Sequence, residues 1–169
     1  MRITDLLSTE EWTDFEREFH AQTGLDTNVY DPDGFTFTGV KQWANSLCPA
    51  IKSRPDALQS ICSVAHQNLA QIAMHTKAPV VEECDIGLLK ICVPVFFNEE
   101  FIGAVGGCGH LLEESEVDTF LVHKMTDLQE SEVEELASDV RVITRADAEA
   151  VAEEMQERIK EIVHRRSES

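Results

Sequence analysis

Positive charge is scarce in this chain, long apolar runs are absent, and no two cysteines stand close together. Each shortage removes a class of function. Lys and Arg number 14 against 32 Asp and Glu, a formal net charge of −18, and so acidic a chain repels nucleic acid and anionic membrane surfaces. No apolar stretch reaches the roughly 20 residues of a membrane-spanning helix. Met1-Arg-Ile-Thr-Asp-Leu-Leu-Ser8 lacks a signal-peptide core, so a cytoplasmic setting with reduced thiols is expected. Five cysteines, an odd number, do not close a disulfide framework. The glycine-rich run Gly103–Gly109 has neither the lysine of a P-loop nor dinucleotide-binding spacing.

What is present suffices for a core, since 43% of the 169 residues are hydrophobic. Thr9-Glu-Glu-Trp12 supplies helix-capping residues, and Trp12, Phe15 and Phe19 follow at helical spacing up to Gly24, a helix stop. Leu25–Tyr30 alternates like a strand, Asp31-Pro-Asp-Gly34 is a turn, and Phe35–Gly39 alternates again, which predicts a hairpin. Helical pattern covers about 45–76 and is split at Pro55. Within it Leu58, Ile61, Cys62, Ala65, Leu69, Ile72 and Ala73 form a 3.6-period stripe, and Cys62 and His66 share a face.

Three strands are expected over 80–84, 88–97 and 101–109, the last two joined by a turn at Asn98-Glu-Glu100. This order predicts an α+β domain with an antiparallel sheet. Beyond His110 acids dominate, with a short helix expected at 129–137 and a final one over 146–164. Val151, Met155, Ile159 and Ile162 give that last helix a narrow apolar stripe, suited to its own domain or to a homodimer seam. The expected division is a core over 1–112 and an acidic helical extension over 113–169.

Four cysteines carry the chemical interest: Cys48, Cys62, Cys84 and Cys108, each beside Asn, His, Asp or Gly. Cys92 lies inside the apolar run Leu88–Val95 and reads as core. Separations of 14, 22 and 24 residues are not those of a zinc motif. Four thiolates would nevertheless serve an iron–sulfur cluster or another thiolate-bound metal. A reactive cysteine needs a base to lower its pKa; His66, His75 and His110 are available, but no local motif unites them with a thiol. The acids Glu82, Glu83 and Asp85 could accept hydrogen bonds from hydroxyl groups, although Glu82 reads better as a solvated edge.

Five stretches in order, Asn45–Ile51, Cys62–Asn68, Lys77–Leu88, Val93-Pro-Val95 and Gly103–Gly109, resemble the PocR-type sensory domain over roughly residues 5–165. The resemblance implies a PAS-like curved antiparallel sheet with flanking helices around a central pocket. It also implies a non-catalytic role in sensing small organic molecules such as short diols. It marks Cys48, Cys62, Cys84 and Cys108 as the family's cysteine positions, with Gly87 and Gly109 beside them. No DNA-binding, kinase or receptor segment is present, so a free-standing sensor signalling to a protein partner through its last helix is expected. The expected ligand set is Cys48, Cys62, His66, Cys84, Asp85, Gly87, Cys108 and Gly109, with the four cysteines facing one another and Cys92 apart. A metal or iron–sulfur sensor on the same four cysteines, and a thiol enzyme, are the alternatives.

Overall fold

Helices α1 (Ile3–Leu6) and α2 (Thr9–Thr23) open the computed structural model, which describes residues 1–169. Ser8, rather than Thr9, caps α2. Its hydroxyl accepts from the Glu11 amide at 3.2 Å, and the Glu11 carboxylate accepts from the Ser8 amide at 2.8 Å. Strand β1 (Asp26–Tyr30), α3 (Leu47–Lys52) and α4 (Pro55–Ala57) come next. A π-helical stretch, Leu58–Ser63, then runs without a break into α5 (Val64–Thr76). Strands β2 (Val80–Glu83), β3 (Leu89–Phe97), β4 (Glu100–Cys108) and β5 (Leu111–Leu112) precede α6 (Thr119–Thr126) and α7 (Glu130–Leu136). Strand β6 (Val142–Ile143) and α8 (Arg145–Ser167) complete the chain.

Four strands form one antiparallel sheet in the order β1-β4-β3-β2, and with its flanking helices this is a PAS-like α+β fold. The turn between β3 and β4 falls where the sequence places it. Asn98 and Glu99 both have positive φ (49° and 66°), which matches the twist of the strands they join.

The hairpin expected at 25–39 does not form. Asp31–Gly34 turns as read, yet a single bridge, Tyr30 to Thr36, follows it, and β1 pairs along its whole length with β4. The reason is Glu16, a fully buried carboxylate on α2. It accepts from the Val29 amide at 2.8 Å and the Thr38 hydroxyl at 2.6 Å, so a side chain occupies that edge of the sheet instead of a strand. Burial pushes the Glu16 pKa up, against the pull of these two donors.

Alternate residues give the sheet two unlike faces. One presents Val29, Ile91, Val93, Val95 and Val105 to Trp12, Phe15 and Phe19 of α2 and to Ala148, Ala152, Met155 and Ile159 of α8. The other carries Asp26, Tyr30, Lys90, Cys92, Ala104 and Cys108, by their cross-strand register, and lies toward α5. Along the helix over 55–76 the expected 3.6-period stripe is replaced by a repeat of four. Ala57, Ile61, Ala65, Leu69 and Ala73 are buried, while Leu58 and Ile72 are exposed. The π turn winds in more residues than an α turn and so absorbs part of that difference.

In the acidic stretch, α6 and the parallel pair β5–β6 form where the sequence reading placed nothing. Asp118 caps α6 by accepting from the Leu121 amide at 2.9 Å. Val122 and Val133 of α6 and α7 join a second core with Leu47, Cys48, Ile51, Ile61, Ile86 and Leu88. No helix is long and apolar enough to cross a membrane.

Candidate functional site

Between α3, the π-helical stretch and the polar face of the sheet lies a small cavity with about 30 Å³ of free space, room for one or two waters. Cys48, Cys62, Cys84 and Cys108 all line it, as do Gly109, Lys52 and Lys90. The remaining wall is aliphatic: Ile51, Ile61, Ile86, Leu88 and Leu89. Cys92 is elsewhere, packed with Leu69, Ala73, Val80 and Ala104.

Each cysteine arrives on a different element. Asn45 sets the first, its side-chain oxygen accepting from the Cys48 amide at 2.8 Å while its amide donates to the Gly109 carbonyl at 2.7 Å. That second bond ties α3 to the end of β4, and Gly109 permits it. Its φ is +101°, and a Cβ there would stand 2.7 Å from the Ala44 Cβ. Cys62 comes from the π-helical stretch, a winding that recurs at functional sites. Cys84 heads a tight turn in which its amide donates to the Leu88 carbonyl at 2.8 Å and its carbonyl accepts from the Gly87 amide at 2.9 Å.

Cys108 stands in a cross-strand row. It pairs with Asp26 on β1 and with Lys90 on β3, and Lys90 in turn pairs with Glu82 on β2. Lys52 reaches in from α3 to Asp26 at 3.2 Å. The Lys90 ammonium makes no hydrogen bond or ion pair with the protein; it lies 5.7 Å from the centre of the Tyr30 ring. Neither lysine belongs to the expected ligand set. The available signal was Lys90 itself, one charged residue inside the otherwise apolar run Leu88–Val95.

Burial governs the titrating groups. It pushes the Cys48 thiol up to about 12 and Cys62 up to about 11. Cys84 is raised for the same reason, although the Ile86 and Leu88 amides facing its sulfur pull the other way. Buried thiols of this kind stay protonated at neutral pH and are poor nucleophiles. For Lys90 burial disfavours the ammonium, while Tyr30 and Cys108 would, once ionised, raise it above the ordinary lysine value. Tyr30 is itself raised by burial, so at neutral pH Lys90 faces an uncharged phenol.

Three expected residues lie outside the cavity. His66 stacks on Tyr30 (ring centroids 3.6 Å apart, 20° between planes) and lines a separate polar hollow with Asp31, Gly34, Gln67 and Gln71. Burial, and then Lys90, hold its pKa down at about 3. Asp85 is exposed on the turn after Cys84. Gly87, at φ +91°, is fixed by the chain passing over it: a Cβ would meet the Glu116 carbonyl oxygen at 2.2 Å.

A family model described as "Sensory domain found in PocR" matches residues 5–166. The chain belongs to the PocR sensory-domain family. No curated protein and no solved structure matches it. As a PocR-type domain it has a ligand-sensing role, and its cavity can be read for what it would accept. All five thiols are free. No group of three or more His, Cys, Asp or Glu side chains is placed to hold a metal ion. The alternative of a thiolate-held metal or iron–sulfur centre therefore has no such group to support it. Two ammonium groups in the lining also oppose a bare metal cation.

Proposed function

We propose that this PocR-type domain is a non-catalytic cytoplasmic sensor that takes a small organic molecule into the cysteine-lined cavity. Binding would be reported through residues 113–169, above all α8, to a protein partner or a second copy of the chain. Residues 1–112 would be the sensory core. The observation that carries this reading is convergence: four cysteines and two lysines, from separate elements, surround one small hollow. Raised thiol pKa values favour a binding wall over a nucleophile.

The path outward follows from strand alternation. On β3, Lys90 faces the cavity while Ile91 and Val93 pack in the core that holds Met155 and Ile159 of α8. A ligand larger than the one or two waters the cavity has room for must spread these walls, and a displaced β3 changes the seat of α8.

Methyl-labelled isoleucines test both halves. A panel of short alcohols, diols, amides and carboxylates is titrated while the Ile51, Ile61 and Ile86 methyls are followed together with Ile159 and Ile162. A binder is expected to move both sets. If no compound moves the cavity methyls, the sensory reading fails; if only the cavity set moves, α8 is not the output.

A further inference from the structure

Two of the six lysines in a chain of net charge −18 line a cavity that is otherwise aliphatic and thiol. Lys52 is partnered by Asp26 at 3.2 Å, and the same carboxylate also accepts from the Asn28 side-chain amide at 3.2 Å. Lys90, only 7% exposed, makes no hydrogen bond or ion pair with the protein and lines the cavity. Glu82 lies beside it in the cross-strand register but is exposed and forms no ion pair with it. His66, stacked on Tyr30, adds no counter-charge, and the phenol of Tyr30 is a neutral neighbour. The lining therefore holds two ammonium groups and no carboxylate, and Asp26, behind it, forms an ion pair with Lys52 alone. An ammonium that opens onto a small cavity with no acceptor from the protein is placed to receive a mobile anion, and a charge-assisted hydrogen bond is the strong kind.

The remaining walls say what the anion carries. Ile51, Ile61, Ile86 and Leu88 offer alkyl contact and no strong hydrogen-bond donor. Resting on the sensory reading above, we infer that the ligand is a short aliphatic carboxylate. Its carboxylate sits between Lys90 and Lys52, and its alkyl end lies against the isoleucines. A cavity with room for only one or two waters favours the shortest acids over longer ones.

The test uses the whole chain and calorimetric titration at neutral pH and fixed ionic strength. Formate, acetate and propionate are compared with the neutral isosteres acetamide, propionamide and 1-propanol. The acids are expected to bind at least about tenfold more tightly than their amides, and Lys90→Met to bring that ratio down to near one. If Lys90→Met fails to fold, Lys90→Arg, which keeps the charge, is expected to retain the preference for the acid. The acid–amide comparison on the natural chain needs no variant.

Amides or alcohols binding as tightly as the acids would overturn the carboxylate assignment and leave the sensory reading standing. If none of the six compounds binds, the assignment falls, and the wider panel of the methyl titration then decides the sensory reading separately. A thiolate that absorbs in the ultraviolet at neutral pH and vanishes in Cys108→Ser would also overturn the assignment, because the protein would then supply its own anion.

Discussion

The two faces of the sheet come from alternate residues of the same strands, yet one is a packed interior and the other a polar workplace. Ile91, Val93 and Val95 meet α2 and α8 in a core of 19 buried apolar residues. Their neighbours Lys90 and Cys92 face α5, where Asp26, Tyr30, His66 and Cys108 sit among small residues such as Ala104 and Gly106. A buried ammonium costs several kcal/mol even after the protein relaxes. The difference teaches that stability is concentrated on one face, which leaves the other free to hold groups that oppose folding.

The largest effect is expected where the apolar face is broken. Trp12 is fully buried and its indole N–H donates to the Ile3 carbonyl at 3.0 Å. Trp12→Ala is expected to cost about 3–5 kcal/mol in urea unfolding. A loss below about 1 kcal/mol would mean that the α2 face does not carry the fold.

On the polar face, His66 has a folded pKa of about 3 against an ordinary 6.5. A depressed histidine leaves stability intact above the unfolded value and loses it as pH falls from there toward the folded value. The expected loss is about 1.4 kcal/mol per pH unit below 6.5. His66→Phe keeps a ring on Tyr30 and is expected to flatten that slope, leaving the smaller contribution of His110, which burial also lowers. Parallel stability–pH curves for the two proteins would refute the assignment.

Lys90→Met sharpens the contrast from the other direction. Replacing an unpaired buried ammonium by an apolar chain of similar length is expected to raise stability by about 1–2 kcal/mol in the absence of ligand. A fall in melting temperature would show that Lys90 is already compensated. Cys92→Ala should matter least, costing about 1 kcal/mol with binding unchanged, and altered ligand affinity would draw Cys92 into the site.

Periodic and punctuating signals were legible. Trp12, Phe15 and Phe19, the Asn98–Glu100 turn and the strands over 80–108 depend on local pattern, and they stand where the sequence places them. The four cysteines were legible as a set through the family resemblance, and the structure brings them to one cavity. What escaped depends on partners distant in sequence. Glu16 hides in an amphipathic helix as one more acid until Val29 and Thr38 come to it. Lys52 looks like a helix-surface lysine until Asp26 is placed opposite, 26 residues away in the chain. His66 and Cys62 share a helix but stand about one turn apart along it, and that rise is enough to put them in separate hollows.

The π turn over Leu58–Ser63 acts as a store of slack. It holds about one residue more than an α turn, so removing a single residue from it is expected to let the stretch close as ordinary α-helix with its two halves still in phase. Val64–Thr76 has no such reserve, and a deletion there would turn Leu69 and Ala73 by about 100° against Ile61 and the cavity wall. The domain can lose a residue beside its cavity more cheaply than one helical turn further on.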